Sequence, residues 1–362
     1  MDVANLKRSQ LKDVARHRDE LRRDPHLRWL FFEITNRCNL KCRHCGSSCS
    51  LEGLELTADE VKSVLDTLGI VRPMICLTGG EPLLHPSFFE IAEAVHSKSL
   101  SWGMTTNATL IDEDCADMLK RTGMGTVSVS LDGMEESHDL LRQQKGAWKR
   151  AVRGIEALQR AGFSPQVTTV FHKRNFAEFD TIYGFLCDLG ISSWRPINVE
   201  PIGRACESGD MLLDADQFAC LIKKIKEKRF DRAGRMEVTF GCSHYLGIKQ
   251  ERMVRDHYFL CGAGILTASI RSNGDICACL DIENRPELVQ GNIRTDDFMD
   301  VWINRFKCFR SDRTEESSTC LECPERYICG GDSTHTWNFD KKEPLLCYRD
   351  YGGMLENVGE VR

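Results

Sequence analysis

The sequence has no uninterrupted apolar run of about 18 residues, so it contains no segment of the length and composition of a transmembrane helix. Its first residues, MDVANLKRSQLKD, lack the apolar stretch of a secretory signal peptide. The net charge of −6 argues against bulk affinity for nucleic acid or membranes. The 18 cysteines among 362 residues are too few for a disulfide scaffold. We therefore expect a cytoplasmic protein that binds neither nucleic acid nor a membrane.

The cysteines that are present form clusters. In a reducing compartment, clustered cysteines more often bind metal or perform chemistry than form disulfides. The tightest group is CNLKCRHC, which contains Cys38, Cys42 and Cys45, with Cys49 nearby but outside the spacing. A closed tetrahedral metal site needs four ligands, so three thiols in one loop suggest a metal centre with one position left open. Structural thiols and a zinc site are the alternatives for this group.

Short β-rich runs alternate with helical patterns in the first part of the chain. One helical segment begins at Thr57 with Glu60 three residues later, which is the pattern of a capping box. The alternation predicts a parallel sheet with right-handed crossovers. Six such units fall two short of a closed barrel, so we predict an α/β fold with a partial, open (β/α)6 barrel of TIM type. The predicted strands occupy residues 27–34, 74–79, 100–106, 125–131, 166–172 and 193–199.

The composition changes along the chain and suggests four parts. Residues 1–24 predict a charged helix with a solvated face, which ends at Pro25. We place the barrel core at residues 25–205 and a helical linker at residues 206–241. Residues 242–362 are rich in cysteine and irregular, which predicts a second, smaller domain with a C-terminal tail.

Polar turns follow all six predicted strands. The first of them is the three-cysteine loop, and the second is GGEP at residues 79–82. In parallel α/β barrels, active sites collect at the C-terminal ends of the strands. Each turn alone is an ordinary way to end a strand. Six together, one of them carrying three thiols, predict a shared site.

The spacing C-x3-C-x2-C after a first strand, followed by GGEP after a second, resembles the radical S-adenosylmethionine (SAM) superfamily. The resemblance covers roughly residues 27–205. It implies that Cys38, Cys42 and Cys45 hold three irons of a 4Fe–4S cluster and that SAM occupies the fourth iron. It also implies that an electron from the cluster splits the sulfonium, and that the resulting 5′-deoxyadenosyl radical abstracts hydrogen from a substrate.

The resemblance also implies roles for residues in the other turns. Gly79, Gly80 and Glu81 would contact the amino group of SAM, and Ser130 and Arg142 would contact its carboxylate. Asn107 would contact the ribose, and His44 would lie against the adenine. The alternative for Arg142 is a plain surface arginine.

A second cysteine set resembles the SPASM extension of radical SAM enzymes, which holds auxiliary iron–sulfur clusters. The resemblance rests on the order of the cysteines together with GNI at 291–293, Trp302 and ICGGD at 328–332. It implies one complete four-thiolate site made of Cys320, Cys323, Cys329 and Cys347.

The resemblance leaves the other auxiliary site incomplete. Cys261 and Cys279 match its ligands, but Ser333 stands where the family often supplies a last one. We predict either a cluster that is not fully bound by thiolates or no second cluster, hence one or two auxiliary clusters in all. Other residues that could contribute a ligand are Cys242, Cys277 and Asp332.

Most SPASM enzymes modify peptides, so the resemblance implies a maturase of ribosomal peptide natural products that forms crosslinks, epimerises or oxidises. Its partners would be a peptide and a reductant such as flavodoxin or ferredoxin. Because the first predicted strand begins at Leu27, we expect no winged-helix recognition domain ahead of it. Leader binding would then need the barrel surface or a separate protein.

Two alternatives to a peptide maturase remain. One is small-molecule chemistry, either dehydrogenation of an alcohol or alteration of tetrapyrrole side chains. The other is a metal-binding interaction protein without turnover. Sulfatase maturases carry Asp directly after the cysteine that matches Cys279, where this chain has Leu280, but Asp281 remains a candidate catalytic base. Cys49 is a candidate hydrogen-atom donor or simply a thiol at the barrel rim.

Overall fold

The computed structural model describes residues 3–47, 54–231, 234, 236–241 and 244–351. The predicted roles of Cys49 and Cys242 lie outside these residues and stay predictions. Within the described part of the chain, no helix has the length and apolar character needed to cross a membrane.

All six predicted strands are present, and the sheet contains four more. The structure therefore confirms the α/β fold with an open barrel built on parallel strands. The strands of this sheet are β1 Trp29–Thr35, β2 Met74–Gly79, β3 Trp102–Thr106, β4 Thr126–Ser130, β5 Gln166–Phe171, β6 Ser193–Asn198, β7 Glu237–Val238, β8 Thr267–Ile270, β9 Asp275–Cys277 and β10 Gly291–Asn292.

The strand order is β10-β9-β8-β1-β2-β3-β4-β5-β6-β7. From β8 to β7 every neighbouring pair is parallel, with Trp29 opposite Met74 and Gln166 opposite Ser193, for example. The hairpins β8–β9 and β9–β10 are antiparallel. A separate two-stranded sheet pairs β11, Trp337–Asn338, with β12, Glu343–Pro344.

Helices cover the outer face of the barrel and build the C-terminal region. The predicted capping box is present, because Thr57 Oγ1 accepts from the Glu60 N–H at 3.1 Å and Glu60 Oε2 accepts from the Thr57 N–H at 2.8 Å. The helices are α1 Val3–Arg23, α2 Ala58–Thr67, α3 Phe88–Ser97, α4 Glu113–Arg121, α5 Glu135–Arg142, α6 Ala147–Arg160, α7 Phe179–Asp188, α8 Arg204–Ser208, α9 Ala215–Arg229, α10 Ile248–Val254, α11 Phe298–Asn304, α12 Lys307–Arg310, α13 Ser318–Leu321 and α14 Arg326–Cys329.

Successive side chains of each strand point to opposite faces of the sheet, and the two faces differ in burial. In β5, Val167, Thr169 and Phe171 are fully buried, whereas Thr168 and Val170 are half-buried and line the lumen of the barrel. The apolar core therefore lies between the sheet and its helices. The lumen is left as a cavity for a ligand.

The C-terminal region is joined to the barrel by backbone pairing. Strand β8 runs parallel to β1, with Trp29 opposite Thr267 and Phe32 opposite Ile270. A side-chain contact adds to this, because Arg294 Nε lies 2.6 Å from Glu60 Oε1 on α2. One sheet thus runs from the barrel into the region that resembles SPASM, and the four-part domain division stays a prediction.

Helix α1 has an exposed charged face, but its other face packs on the C-terminal region. Leu11 and Val14 contact a cluster formed by Tyr245, Phe259 and Ile328. Arg18 on the same helix is only 4% exposed. The sequence predicted only the solvated face, since most charged residues on surface helices point to water.

Candidate active site

The three-cysteine loop follows β1 and is held by backbone contacts. Cys42 is buried, whereas Cys38 and Cys45 are half-buried. The Leu40 N–H donates to Cys38 Sγ at 3.4 Å, and the Cys45 N–H donates to the Cys42 carbonyl at 3.3 Å. All three cysteines pack in one small cluster with Leu40 and Ala147. The three predicted ligands therefore share one loop and one packing cluster, and their ligation of an iron–sulfur cluster stays a prediction.

Gly79 and Gly80 lie directly against this loop. A Cβ on Gly80 would come within 2.3 Å of the Arg37 carbonyl oxygen and 2.8 Å of Cys38 Cβ. A Cβ on Gly79 would come within 2.2 Å of the Thr35 carbonyl oxygen. Both positions therefore require glycine so that the second turn can approach the first. Their predicted contact with SAM stays a prediction.

Glu81 joins the end of β2 to the end of β3. Its fully buried carboxylate accepts from Thr106 Oγ1 and from the Asn107 N–H, each at 2.8 Å. Burial raises the pKa of Glu81 to about 7, although the hydrogen bonds from Asn107 and Thr106 act in the opposite direction. The side chain thus points into the protein, and any contact of this turn with SAM would come from its other atoms.

Asn107 connects the third turn to the cysteine loop. Its Nδ2 donates to Asn39 Oδ1 at 2.9 Å, and its Oδ1 accepts from the Thr109 N–H at 2.9 Å. Asn39 in turn donates to Thr109 Oγ1 at 2.9 Å. The sequence analysis missed Asn39 and Thr109, although Asn39 is the second letter of CNLKCRHC. Asn107 already uses its side chain in this network, and the predicted contact with the SAM ribose would be a further hydrogen bond.

Arg142 is 7% exposed, so the alternative of a plain surface arginine is wrong. One of its terminal nitrogens donates to Cys42 Sγ at 3.4 Å, and the other forms an ion pair with Asp132. Burial raises the pKa of Asp132, but the positive charge of Arg142 outweighs this effect, and the pKa falls to about 2. Asp132 therefore holds the guanidinium beside the loop as a carboxylate.

His44 approaches the same carboxylate oxygen of Asp132 as Arg142 does. Its Nε2 is 3.9 Å from Asp132 Oδ2, and its Nδ1 is buried without a hydrogen-bond partner. Burial lowers the pKa of His44 to about 4, so the imidazole is neutral near pH 7. A neutral ring with one unsatisfied nitrogen fits the predicted position against an adenine. The sequence analysis assigned no role to Asp132 and missed this contact.

A cavity of about 2700 Å³ extends through the lumen and the mouth of the barrel. Predicted SAM residues line it, among them His44, Ser130 and Arg142. The C-terminal region also contributes to its wall, through Cys261, Cys279 and Asp281. The cavity thus reaches from the cysteine loop to the edge of the second cysteine set.

Four cysteines of the second set lie around α13 and α14. Cys320 N–H donates to Ser317 Oγ at 3.1 Å, and Cys323 Sγ lies 3.7 Å from the Tyr348 hydroxyl. Burial raises the pKa of Cys347 to about 12 and also raises that of Cys329. Thiols that are hard to ionise alone become thiolates when a metal centre binds them. Four cysteines are a donor set that iron–sulfur clusters use, so the residue types fit such a cluster, and its ligation by these four thiols stays a prediction.

The incomplete set lies on the cavity side. Cys261 Sγ is 3.2 Å from Thr334 Oγ1 and accepts from the Thr334 N–H at 3.3 Å. Ser333 is fully buried beside this contact. One oxygen of Asp332 accepts from the Tyr245 and Ser333 N–H groups, so it is already used by the backbone. Ligation of a second auxiliary cluster by these residues stays a prediction.

The cavity wall also contains residues that the sequence analysis did not assign. His335 Nε2 lies 2.8 Å from Glu200 Oε2, at the junction of β6 and the C-terminal region. Burial lowers the pKa of His335, but the charge of Glu200 outweighs it and raises the pKa to about 10. Asp281 Oδ2 lies 3.8 Å from Cys279 Sγ and is exposed to this space. Glu200 could have been found, because it directly follows the sixth strand.

The comparisons with known proteins agree with this geometry. The model of the Radical SAM superfamily matches residues 32–186, and that of the SPASM iron–sulfur cluster-binding domain matches residues 261–324. An AdoMet-dependent heme synthase from Methanosarcina barkeri is 30% identical over 346 residues, which cover 89% of this chain and 97% of the relative. The mycofactocin maturase MftC from Mycobacterium tuberculosis is 28% identical over 83% of this chain and 77% of its own length.

A solved structure shares the fold. Streptococcus suis SuiB bound to S-adenosylmethionine superposes with a TM-score of 0.70 at 19% identity, over 85% of this chain and 73% of SuiB. The chain belongs to the radical SAM superfamily and carries a SPASM domain. It is an enzyme whose cofactors are a 4Fe–4S cluster, S-adenosylmethionine and auxiliary iron–sulfur chemistry in the SPASM domain.

Proposed function

We propose that this radical SAM enzyme acts on a tetrapyrrole and alters one of its side chains. One observation supports this above the others: the heme synthase from M. barkeri is similar to this chain over 97% of its own length. MftC, whose name describes a maturase, is matched over a smaller share of both chains. The comparisons therefore favour the small-molecule alternative over the peptide maturase expected from the sequence.

The size and charge of the cavity suit such a substrate. Pockets for drug-sized ligands occupy about 300–1,000 Å³, whereas this one occupies about 2700 Å³ and leaves room for a macrocycle beside SAM. Arg195 and Arg271 line it. Guanidinium groups are suited to bind carboxylates, which are common side-chain groups of tetrapyrroles.

Within this proposal, Cys38, Cys42 and Cys45 hold the 4Fe–4S cluster. When bound, the cluster and SAM together supply the abstraction of a hydrogen atom from the substrate. The chain's own groups position the parts. Asp132 fixes Arg142 beside Cys42, where its charge can meet a carboxylate of SAM. The glycines at 79 and 80 bring the second turn against the loop.

Two further assignments complete the proposal. Ser130 lines the cavity at the end of β4 and is a second candidate contact for the SAM carboxylate. Asp281 is exposed to the same cavity and remains a candidate base on the substrate side. An external one-electron reductant of the flavodoxin or ferredoxin type completes the set of partners.

Deuterium transfer tests the choice of substrate. Iron coproporphyrin III deuterated in its side chains is incubated with SAM and the reduced, reconstituted enzyme under anaerobic conditions. We expect deuterium in the 5′-deoxyadenosine, measured by mass spectrometry, together with a tetrapyrrole product of changed mass. Cys42→Ala should give neither. Unlabelled 5′-deoxyadenosine and unchanged tetrapyrrole from the wild-type enzyme would rule the proposal out.

A peptide substrate is the second candidate, and its support is the similarity to MftC. SuiB, at 19% identity, supports only the shared fold. In this case a short peptide, presented with or without a separate leader-binding protein, would be the compound that transfers deuterium. Label transfer from a peptide and none from the tetrapyrrole would replace the first candidate with the second.

A further inference from the structure

Arg18 of helix α1 is a buried cation that forms no ion pair with a carboxylate of the described residues. It is 4% exposed, and its terminal nitrogen donates to the Phe259 carbonyl at 2.7 Å. Its Nε is buried and makes no hydrogen bond. No carboxylate among the residues that the structure describes forms an ion pair with it. A buried charge of this kind is costly unless an opposite charge lies beside it.

The surroundings of Arg18 place it beside the second cysteine set. Cys329 packs against the same apolar cluster as Leu11 and Val14 of α1. The buried carboxylate of Glu251 accepts from two backbone N–H groups and forms no ion pair with Arg18. The guanidinium therefore lies beside the turn that follows Cys329, where a bound cluster would add negative charge.

A second arginine approaches the same turn from another direction. Arg313 donates to Thr334 Oγ1 at 2.7 Å and to the carbonyl of Asp332. Arg313 comes from the segment after α12, whereas Arg18 comes from the N-terminal helix.

The two glycines after Cys329 each receive one of these arginines. A Cβ on Gly330 would lie 1.8 Å from a terminal nitrogen of Arg18, and a Cβ on Gly331 would lie 2.8 Å from Arg313 Nε. Both glycines also have positive φ, at 66° and 81°. The turn after Cys329, a predicted cluster ligand, therefore lets one guanidinium approach Gly330 and another approach Gly331. A side chain at either glycine would block this approach.

We propose that Arg18 and Arg313 form an arginine clamp on the auxiliary cluster held by Cys320, Cys323, Cys329 and Cys347, and that the clamp raises the reduction potential of this cluster. A four-thiolate cluster carries a net negative charge that grows on reduction. Two nearby cations in a poorly solvated site favour the more negative state. The clamp acts on the reduction potential of the auxiliary cluster, so the proposal does not depend on the identity of the substrate.

The test measures the midpoint potential of the auxiliary cluster alone. A Cys38→Ala/Cys42→Ala/Cys45→Ala/Cys279→Ala background removes the barrel cluster and a predicted ligand of any second auxiliary cluster. The remaining cluster is titrated under anaerobic conditions with detection by electron paramagnetic resonance. We expect Arg18→Met to shift the potential downward and Arg18→Lys to retain most of the wild-type value. Arg16→Met serves as the matched control, because Arg16 is exposed on the same helix and pairs with Asp13.

Several results would overturn the proposal. These are an unchanged potential in Arg18→Met, an equal shift in Arg16→Met, or a background variant that holds no iron–sulfur cluster. A second measurement covers the case in which Arg18→Met fails to assemble. Hydrogen exchange of residues 3–23 is compared in wild-type protein before and after the clusters are removed by a chelator. We expect α1 to lose protection on removal, and equal protection in both states would contradict the clamp.

Discussion

The two cysteine regions of this molecule differ in how they are assembled and how their charge is balanced. In the barrel, three thiols come from one loop, and the arginine beside them is paired with the buried carboxylate of Asp132. In the C-terminal region, the thiols are spread from Cys261 to Cys347, and Arg18 has no carboxylate partner in the described residues. The barrel site is therefore balanced before any cofactor binds, whereas the C-terminal site depends on an anion that the cluster would supply.

This difference has a functional meaning. A site with an internal ion pair can keep its shape while SAM enters and leaves. A site whose buried arginines form no ion pair with a carboxylate gains its full stability when a cluster is present, as expected where metal binding and folding are coupled. The following predictions test this contrast, from the largest effect to the smallest.

The first prediction separates the two regions by activity. Cys42→Ala removes a proposed ligand of the cluster that binds SAM, and we expect it to abolish formation of 5′-deoxyadenosine. Cys320→Ala removes a proposed ligand of the auxiliary cluster and should leave cleavage of SAM measurable while product formation is lost. Liquid chromatography with mass spectrometry quantifies both compounds. If Cys320→Ala also abolished cleavage, the two regions would not be independent.

The second prediction concerns the internal ion pair of the barrel. Asp132→Ala leaves Arg142 buried and unpaired, which should lower the free energy of unfolding by about 3–5 kcal/mol. Urea denaturation of cluster-free protein measures this. Glu113→Ala is the control, because Glu113 pairs with Arg160 at 2.7 Å on the surface, where solvent screens the pair, so its loss should cost much less. Equally small losses of free energy of unfolding in both variants would show that the buried pair in the barrel stabilises the fold no more than a surface pair does.

The third prediction concerns pH. The ordinary pKa of Glu81 is 4.5 and burial raises it to about 7 in the folded protein, so the folded state keeps a proton that the unfolded chain has released. The stabilising contribution of Glu81 is therefore fully present below pH 4.5. As the pH rises to about 7, this contribution is lost and the free energy of unfolding falls by about 3 kcal/mol.

Unfolding of cluster-free protein across this pH range tests the third prediction. Glu81→Gln should remove its part of the slope, while Glu136→Gln at an exposed position should leave the slope unchanged. Histidines whose pKa is lowered by burial, such as His44 and His138, act with the opposite sign, so the difference between variant and wild type is the informative quantity. Identical slopes in Glu81→Gln and wild type would contradict the burial argument.

The smallest effect is expected for Arg18→Met in cluster-free protein. The substitution removes an uncompensated buried charge together with one hydrogen bond, and the two losses oppose each other. We expect a change of less than about 1 kcal/mol in the free energy of unfolding, in contrast to Asp132→Ala. A loss as large as that of Asp132→Ala would mean that Arg18 is already balanced without a cluster.

The sequence was most informative where the chemistry is local. The three-cysteine loop, the GGEP turn and the six strands are each set by residues close together in the chain. Their periodicity and spacing therefore predicted the barrel and the meeting of its turns. The capping box at Thr57 was predicted for the same reason.

The rest depends on contacts between distant residues. The contact of Arg142 with Cys42 and the approach of Arg18 to Gly330 follow from tertiary packing, which no short pattern encodes. The same holds for Glu200 and His335, which meet only because β6 ends beside the C-terminal region. The substrate class was the weakest prediction, since one fold serves peptides and small molecules alike.

The pairing of β8 with β1 has a consequence for how the chain is made. Trp29 is synthesised early, but its partner Thr267 follows more than two hundred residues later. At ribosomal speeds of about 5–20 residues per second, this edge of β1 stays unpaired for roughly 10–50 s. An unpaired strand edge is prone to aggregation, so the growing chain passes through an interval in which protection by a chaperone would raise its yield.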